Sequence, residues 1–273
     1  MSWIASARTR ATDWIWSELA FPPMELFYEP RLSLLARPSF TEPSHLPVAW
    51  LGDGTDGEHL AEFAGRLCYM SQANPAKRPT REYLDNIKKQ GHGSVLEHAN
   101  YSILVEGVSR SLTHELVRHR AGFAYSQLSQ RYVDESNASF VVPPAIIGDE
   151  SLEKRWRDQV EGAQSTYVAL VEQLMERYGW VADRVHRRKM AREAARAVLP
   201  NATETKIVVT GNARAWRTML ELRASEGAEL EIRRYAVATL RLLQDEAPGF
   251  FSDFVIYVAE DRREAGKVDY HKV

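Results

Sequence analysis

His114, Glu115, Arg118, His119 and Arg120 crowd together, and Tyr125-Ser126-Gln127-Leu128-Ser129-Gln130-Arg131-Tyr132 follows almost at once. A metal is the first chemistry to test. Two zinc-binding histidines on a helix stand about four residues apart, but the spacing of His114 and His119 points them roughly 140° from one another at about 3.6 residues per turn. No metal is expected. Arg118, His119 and Arg120 have an ordinary explanation as well, because cations complement the unpaired carbonyls and negative dipole of a helix C-terminus. What points beyond it is the following segment. Ser129 offers a hydroxyl and Arg131 a planar fork, both suited to phosphate oxygens, so Arg–His–Arg beside them can hold two anionic groups at once.

The elements that must position these residues read as follows. Apolar residues recur at helical spacing from Glu58 to Met70 (Leu60, Phe63, Ala64, Leu67, Cys68), and Thr80 to Lys89 reads as a second, more polar helix. Tyr101 to Glu106 is rich in strand formers. Ser109 or Ser111 caps the next helix, expected to run to about His119 before Gly122 breaks it. A long helix spans about Ser151 to Tyr178 with Leu152, Trp156, Val160, Ala163, Tyr167, Leu170, Val171 and Leu174 on one stripe, and another runs from Asp183 to Val198 before Pro200. Lys206 to Thr210 is a short strand, and helices cover Ala213 to Ala224 and Ala228 to Glu246. Many helices, few strands and no βαβ alternation give an α+β class with a small mixed sheet. Residues 1–45 read as an ordered arm, with Trp3, Trp14, Trp16, Phe21, Phe27 and Tyr28 among Pro22, Pro23, Pro30, Pro38 and Pro43, packing on the body (46–273) or on another subunit.

Composition narrows the function. The chain has 273 residues and a formal net charge of −2, which argues against a general nucleic-acid binder. The basic run Arg184, His186, Arg187, Arg188, Lys189 and Arg192 is read as a solvated helix face in preference to an RNA-binding stripe. No apolar run approaches the roughly 18 residues of a membrane span and no signal peptide is evident, so a cytoplasmic protein with no membrane partner is expected. The single cysteine, Cys68, excludes an internal disulfide and an all-thiolate metal site. Its apolar surroundings place it as a buried structural thiol, and His98 reads as a packed core histidine.

Three segments in order carry a resemblance. Gly91-His-Gly-Ser94-Val-Leu-Glu-His98, then Arg118-His119-Arg120 with Ser129, then Asn212-Ala-Arg214-Ala-Trp-Arg-Thr-Met-Leu-Glu-Leu-Arg223 resemble the flavin-dependent thymidylate synthase family over about Val48 to Phe254. The resemblance implies a thymidylate synthase-complementing-like fold, a homotetramer with shared active sites, and C5 methylation of dUMP to dTMP. FAD would be the cofactor, NADPH the reductant and methylenetetrahydrofolate the carbon donor. No cysteine nucleophile is needed in that chemistry, in agreement with the reading of Cys68.

By position, the resemblance sets Ser94, Arg118, His119, Arg120, Gln127, Asn212, Arg214 and Thr218 against FAD, with His92 near the flavin. Glu115, Leu116, Val117, Arg118, Gln127, Leu128, Ser129, Gln130, Arg131 and Arg196 would line the nucleotide. Arg223 would be catalytic, facing the uracil, where a cation meets charge that spreads onto the ring as C5 becomes nucleophilic. There are departures. The spacer between Arg120 and Ser129 is one residue longer than the family's usual pattern, so Ala121 to Ala124 is expected to bulge. Thr218 and Gly227 stand where the family more often has other residues. A UMP or dUMP methylase of the same fold is the near alternative, and a non-catalytic RNA- or nucleotide-binding protein the distant one.

Overall fold

The computed structural model describes residues 24–51, 54–74 and 77–273; Trp3, Trp14, Trp16 and Phe21 lie outside them. In chain order the elements are β1 (Leu26–Phe27), β2 (Arg31–Ala36), α1 (Asp56–Leu67), α2 (Thr80–Lys89), β3 (Asn100–Ser109), α3 (Arg110–Leu116), β4 (Phe123–Gln127), β5 (Phe140–Val141), α4 (Glu150–Arg177), α5 (Arg184–Ala195), β6 (Glu204–Asn212), α6 (Ala213–Arg223), α7 (Leu230–Glu246), α8 (Pro248–Phe251), β7 (Phe254–Val258) and β8 (Glu264–Val268). A short 3₁₀ segment covers Gly93–His98. The class is α+β. No helix of the described residues is long and apolar enough to cross a membrane.

The sheet explains where the core lies. Strands run in the order β2-β3-β6-β4, every neighbouring pair antiparallel. Tyr101, Ile103 and Val105 alternate inward on β3, as Ile207 and Val209 do on β6, the period-2 pattern of a half-covered sheet. Helices α6 and α7 supply Trp216, Met219, Leu220, Tyr235, Ala236 and Leu240 to the same core. Within it, Trp216 meets Phe123 of β4 edge to face, with ring centroids 5.0 Å apart. The described part of the N-terminal segment belongs to this frame, since β2 is an edge strand of the sheet and β1 pairs with β5.

The lower half of α6 is anchored electrostatically. Arg217 grips Asp253 with both nitrogens at 2.6 and 2.8 Å, and Lys88 donates to the same carboxylate at 3.0 Å. Burial pushes the Asp253 carboxyl up, but bonds and charge from Arg217 and then Lys88 outweigh it and hold it below the usual range. This pairing matters because a buried charge without its partner costs several kcal/mol, roughly 3–5 when one member is removed.

Several expectations are corrected. Helix α1 ends at Leu67, so Cys68 is its C-cap and is exposed; an apolar stripe carried one residue too far made it look internal. His98 is exposed as well, at the end of the 3₁₀ segment. Helix α3 stops at Leu116 rather than about His119. In the basic run on α5, Arg184, His186 and Arg188 are exposed and Arg187 and Lys189 half-buried, but Arg192 is buried, donating to the Tyr132 carbonyl at 2.8 Å and pairing with Asp134. On α4 only Val160 and Tyr167 of the long stripe are buried, and Leu152 is exposed.

Candidate active site

Two strands pass into helices with no residue between them. Ser109 ends β3 and caps α3, its hydroxyl accepting from Leu112 N at 3.0 Å. Asn212 ends β6 and caps α6, its side chain accepting from Ala215 N at 2.8 Å. Because β4 pairs with β6 in the register Phe123↔Gly211, the turn before β4 falls beside that second cap, and Asn212 N donates to the Gly122 carbonyl at 3.2 Å. Gly122 has φ +75°, and a Cβ there would lie 2.7 Å from the Asn212 amide nitrogen. Only glycine fits this corner without displacement. Phe123 and Ala124 already sit in regular register with β6, contrary to the bulge expected through Ala124, and the residues between Arg120 and β4 form the turn.

The corner opens into a cleft of about 460 Å³ lined by Glu97, His119, Arg120, Asn212, Arg214 and Thr218. Arg214 also lines a second cleft with His92, Ser94, Tyr69 and Cys68, so its side chain borders both, and the pair is termed the groove. Glu97 pairs with Arg214 at 2.6 Å, and the Thr218 hydroxyl donates to the Arg214 carbonyl at 3.1 Å. Asn212 N, Ala213 N and Ala215 N at the start of α6 are already taken by the Gly122 and Ala99 carbonyls and the Asn212 side chain, so what this end of the helix offers an anion in the cleft is chiefly its positive dipole end.

Arg223, at the far end of α6, reaches back to the Arg–His–Arg segment. Its Nε donates to His119 Nε2 at 3.0 Å and its Nη1 to Glu115 Oε2 at 2.9 Å. A ring nitrogen that accepts must be unprotonated. Burial, and then the Arg223 charge, hold the His119 imidazole below its ordinary value, so geometry and electrostatics agree on a neutral ring at pH 7. The backbone beneath is pinned by the Tyr125 hydroxyl, 2.6 Å from the His119 carbonyl and 3.0 Å from that of Leu116. Burial pushes that phenol up to about 12, the Arg120 charge opposing it.

The remaining site residues scatter. Arg118 is exposed, Val117 half-buried, and neither lines the groove. Leu116 is wholly buried in the core and offers a ligand no side-chain surface. Gln127 turns its amide to Thr113 and Thr205 at 3.1 and 3.3 Å, away from the flavin groove expected to share it. Leu128 N bonds Lys206 O, and the Ser129 hydroxyl accepts from Arg131 N at 3.4 Å. Gln130 is buried with its amide nitrogen unpartnered, while Arg131 pairs with Glu193 at 3.2 Å.

Sequence reasoning passed over Arg110. It is half-buried at the start of α3, with Nη1 unpartnered. Burial holds it below its usual value, Glu135 opposes that, and the Arg196 charge adds to it. Glu135, also buried with an unpartnered oxygen, is pushed up to about 7 by burial. The available signal was position: a cation in the first turn of a helix opposes the macrodipole and calls for another reason to be there.

The family model described as thymidylate synthase complementing protein matches residues 51–249. The chain belongs to this family. It is 50% identical over 240 residues to the flavin-dependent thymidylate synthase of Mycobacterium sp. (strain JLS), covering 86% of this chain and 93% of that one. It is 48% identical over 236 residues to the flavin-dependent thymidylate synthase of Mycobacterium avium (strain 104), and 49% identical over 236 to that of Mycolicibacterium vanbaalenii, with the same coverage. The family match takes in the whole groove, both strand–helix corners and Arg223, whereas β2 and the β7–β8 hairpin lie outside it. Among the described residues no three His, Cys, Asp or Glu side chains gather as a metal site.

Proposed function

We propose that this chain methylates C5 of dUMP to give dTMP, with FAD as cofactor, NADPH as reductant and methylenetetrahydrofolate as carbon donor. The observation that carries the reading is the cleft in which Arg120, Asn212 and Arg214 meet at a helix N-terminus, with Ser94 in the second cleft that Arg214 also lines, and with His119, on the first cleft's wall, bonded by Arg223. That donor set fits a dinucleotide cofactor: two guanidiniums, an amide and a hydroxyl suit a pyrophosphate. When bound, FAD supplies the reducing equivalents that complete the methyl group.

The protein's own part is binding and charge placement. Arg120 and Arg214 meet the pyrophosphate, and Asn212 fixes the corner that carries them. Arg223, held by Glu115 and neutral His119, presents a planar cation that stabilises negative charge on a uracil carbonyl as C5 attacks. Ser129, Arg131, Arg196 and Arg110 form the nucleotide side, with Glu115, Val117, Leu128 and Gln130 around it.

We further read the working enzyme as a cytoplasmic homotetramer with the family fold and active sites shared between copies. The support is the scatter itself. Arg131 opens onto a separate surface cleft beside Tyr132 and Lys189, and Arg110 with Arg196 belongs to neither groove wall, so one chain alone leaves the nucleotide side open.

The decisive assay is dTMP formation from dUMP with NADPH and methylenetetrahydrofolate, with UMP as competitor. A pocket that merely tolerates an added hydroxyl discriminates weakly, by roughly 10²-fold or less, so UMP is expected to turn over more slowly without being rejected. Strict rejection of dUMP sinks the reading. Because Cys68 lines the groove, a thiol mechanism needs its own control: its Sγ is bonded only to the Ala64 carbonyl, and Cys68→Ser is expected to keep full activity and its yellow flavin.

A further inference from the structure

A cleft of about 320 Å³ lies between α7 and the β7–β8 turn, sharing no lining residue with the groove. Arg233, Arg234 and Arg241 face it from α7, at spacings that keep them to one side of a helix, and Arg262 and Arg263 face it from the turn. Three of the five arginines are committed. Arg233 pairs with Asp261, Arg234 with Glu29 at 3.3 Å, and Arg241 with both oxygens of Glu264. Arg262 and Arg263 form no ion pair among the described residues. Each of the other three has its own carboxylate, and Asp261, which pairs with Arg233, also feels the Arg263 charge; with five arginines against Glu29, Asp261 and Glu264 the cleft keeps an excess of positive charge in a chain whose net charge is −2.

Their placement is fixed by backbone. Arg262 adopts φ 60°, in the left-handed region that arginine rarely occupies. The turn holds it there through Arg262 N to Ala259 O at 3.0 Å and Ala259 N to Arg263 O at 2.8 Å. The apolar part of the lining, its floor, comes from Leu230 and Ala238, with Val237 almost wholly buried beneath.

We infer that this cleft binds a nucleoside di- or triphosphate, the guanidiniums of Arg262 and Arg263 taking the phosphates and the apolar floor taking the nucleoside. Two unpaired guanidiniums match a chain of phosphate oxygens better than a single anion. The volume sits at the small end of the roughly 300–1,000 Å³ usual for ligand sites, enough for a ligand that leaves part of itself in solvent. Bound there, the nucleotide bridges α7 to the β7–β8 hairpin. Helix α7 packs on α6, which carries Arg214 and Arg223, so occupancy of the cleft has a direct route to the groove.

Calorimetric titration of ATP into enzyme already saturated with FAD, dUMP and NADP⁺, with the double variant beside it, reads this site. The expected result is saturable binding that weakens on the order of tenfold or more in Arg262→Ser/Arg263→Ser, with unchanged flavin content and melting temperature. The Arg262→Lys/Arg263→Lys variant keeps most of the affinity, and inorganic tripolyphosphate binds more weakly than ATP because it leaves the floor uncovered. Absence of ATP binding at millimolar concentration, equal affinity in the serine variant, or tripolyphosphate binding as tightly as ATP overturns the inference.

Discussion

Glu135 gives the sharpest test of the electrostatics behind the nucleotide side. Its carboxyl is buried and stands at about 7 against an ordinary 4.5. Burial is the chief cause, the Arg110 charge opposes it, and Glu204 and Asp134 add to it. With the folded value raised, the group contributes stability that is fully present below the unfolded value and is lost as pH climbs through about 7. Between those limits the unfolded chain gives up its proton while the native one keeps it, so the native state is penalised by up to about 1.4 kcal/mol per pH unit. Over the whole window that amounts to on the order of 3 kcal/mol. Glu135→Gln preserves the neutral shape and cannot ionise. Urea midpoints of nucleotide-free protein, taken across pH 5 to 8, should therefore fall more steeply with rising pH in the wild type than in the variant, which keeps only the pH dependence of the other shifted groups such as His119, Glu204 and Glu231. The two curves should meet at the acid end, with the variant the more stable at pH 8. Parallel curves would refute the assignment of a proton to Glu135.

Three further outcomes are expected. Arg120→Ala should lower FAD retention by about tenfold or more, read by absorbance of the purified protein, because a charge-assisted contact to the pyrophosphate is lost; full flavin content in the variant refutes its role. Arg223→Ala should fold and stay yellow while losing roughly 10²- to 10³-fold in turnover, and Arg223→Lys should recover only part of it, since a point charge cannot replace the planar fork. Gly122→Ala should destabilise the corner by about 1–3 kcal/mol and release flavin, through the left-handed φ and the approach to Asn212; an unchanged melting temperature with full flavin counts against the tight corner.

What the sequence made legible was whatever is local. Thr80 to Lys89 matches α2 end to end, and of the two caps offered for α3, Ser109 and Ser111, it is Ser109 that caps it, because spacing and capping are decided within a few residues. The strand β4 escaped because Phe123, Tyr125 and Gln127 alternate inside a segment whose polar residues invited a chemical reading first, and only pairing with β6 makes it a strand. The edge strand β2 sits between Pro30 and Pro38 and looked like part of an arm for the same reason. Arg192 was misplaced because its partners, Asp134 and the Tyr132 carbonyl, lie far away in sequence. Of the site, the segments were legible and their junction was not: nothing in the order of residues says that Arg223 bonds His119, or that Arg110 shares surroundings with Arg196.

The two strand–helix corners carry a consequence for how chain length can vary here. At Ser109 and Asn212 one residue is both the last of a strand and the cap of a helix, so an inserted residue would either break the cap or rotate the whole helix about its axis by about 100°. Neither corner has slack. The turn from Arg120 to Gly122 does, since β4 begins afresh after it with its register set by β6. Insertions and deletions among relatives should therefore collect at that turn and leave both corners untouched, so that lineages diverge in the reach of the loop above the groove while the angle between sheet and helix stays constant.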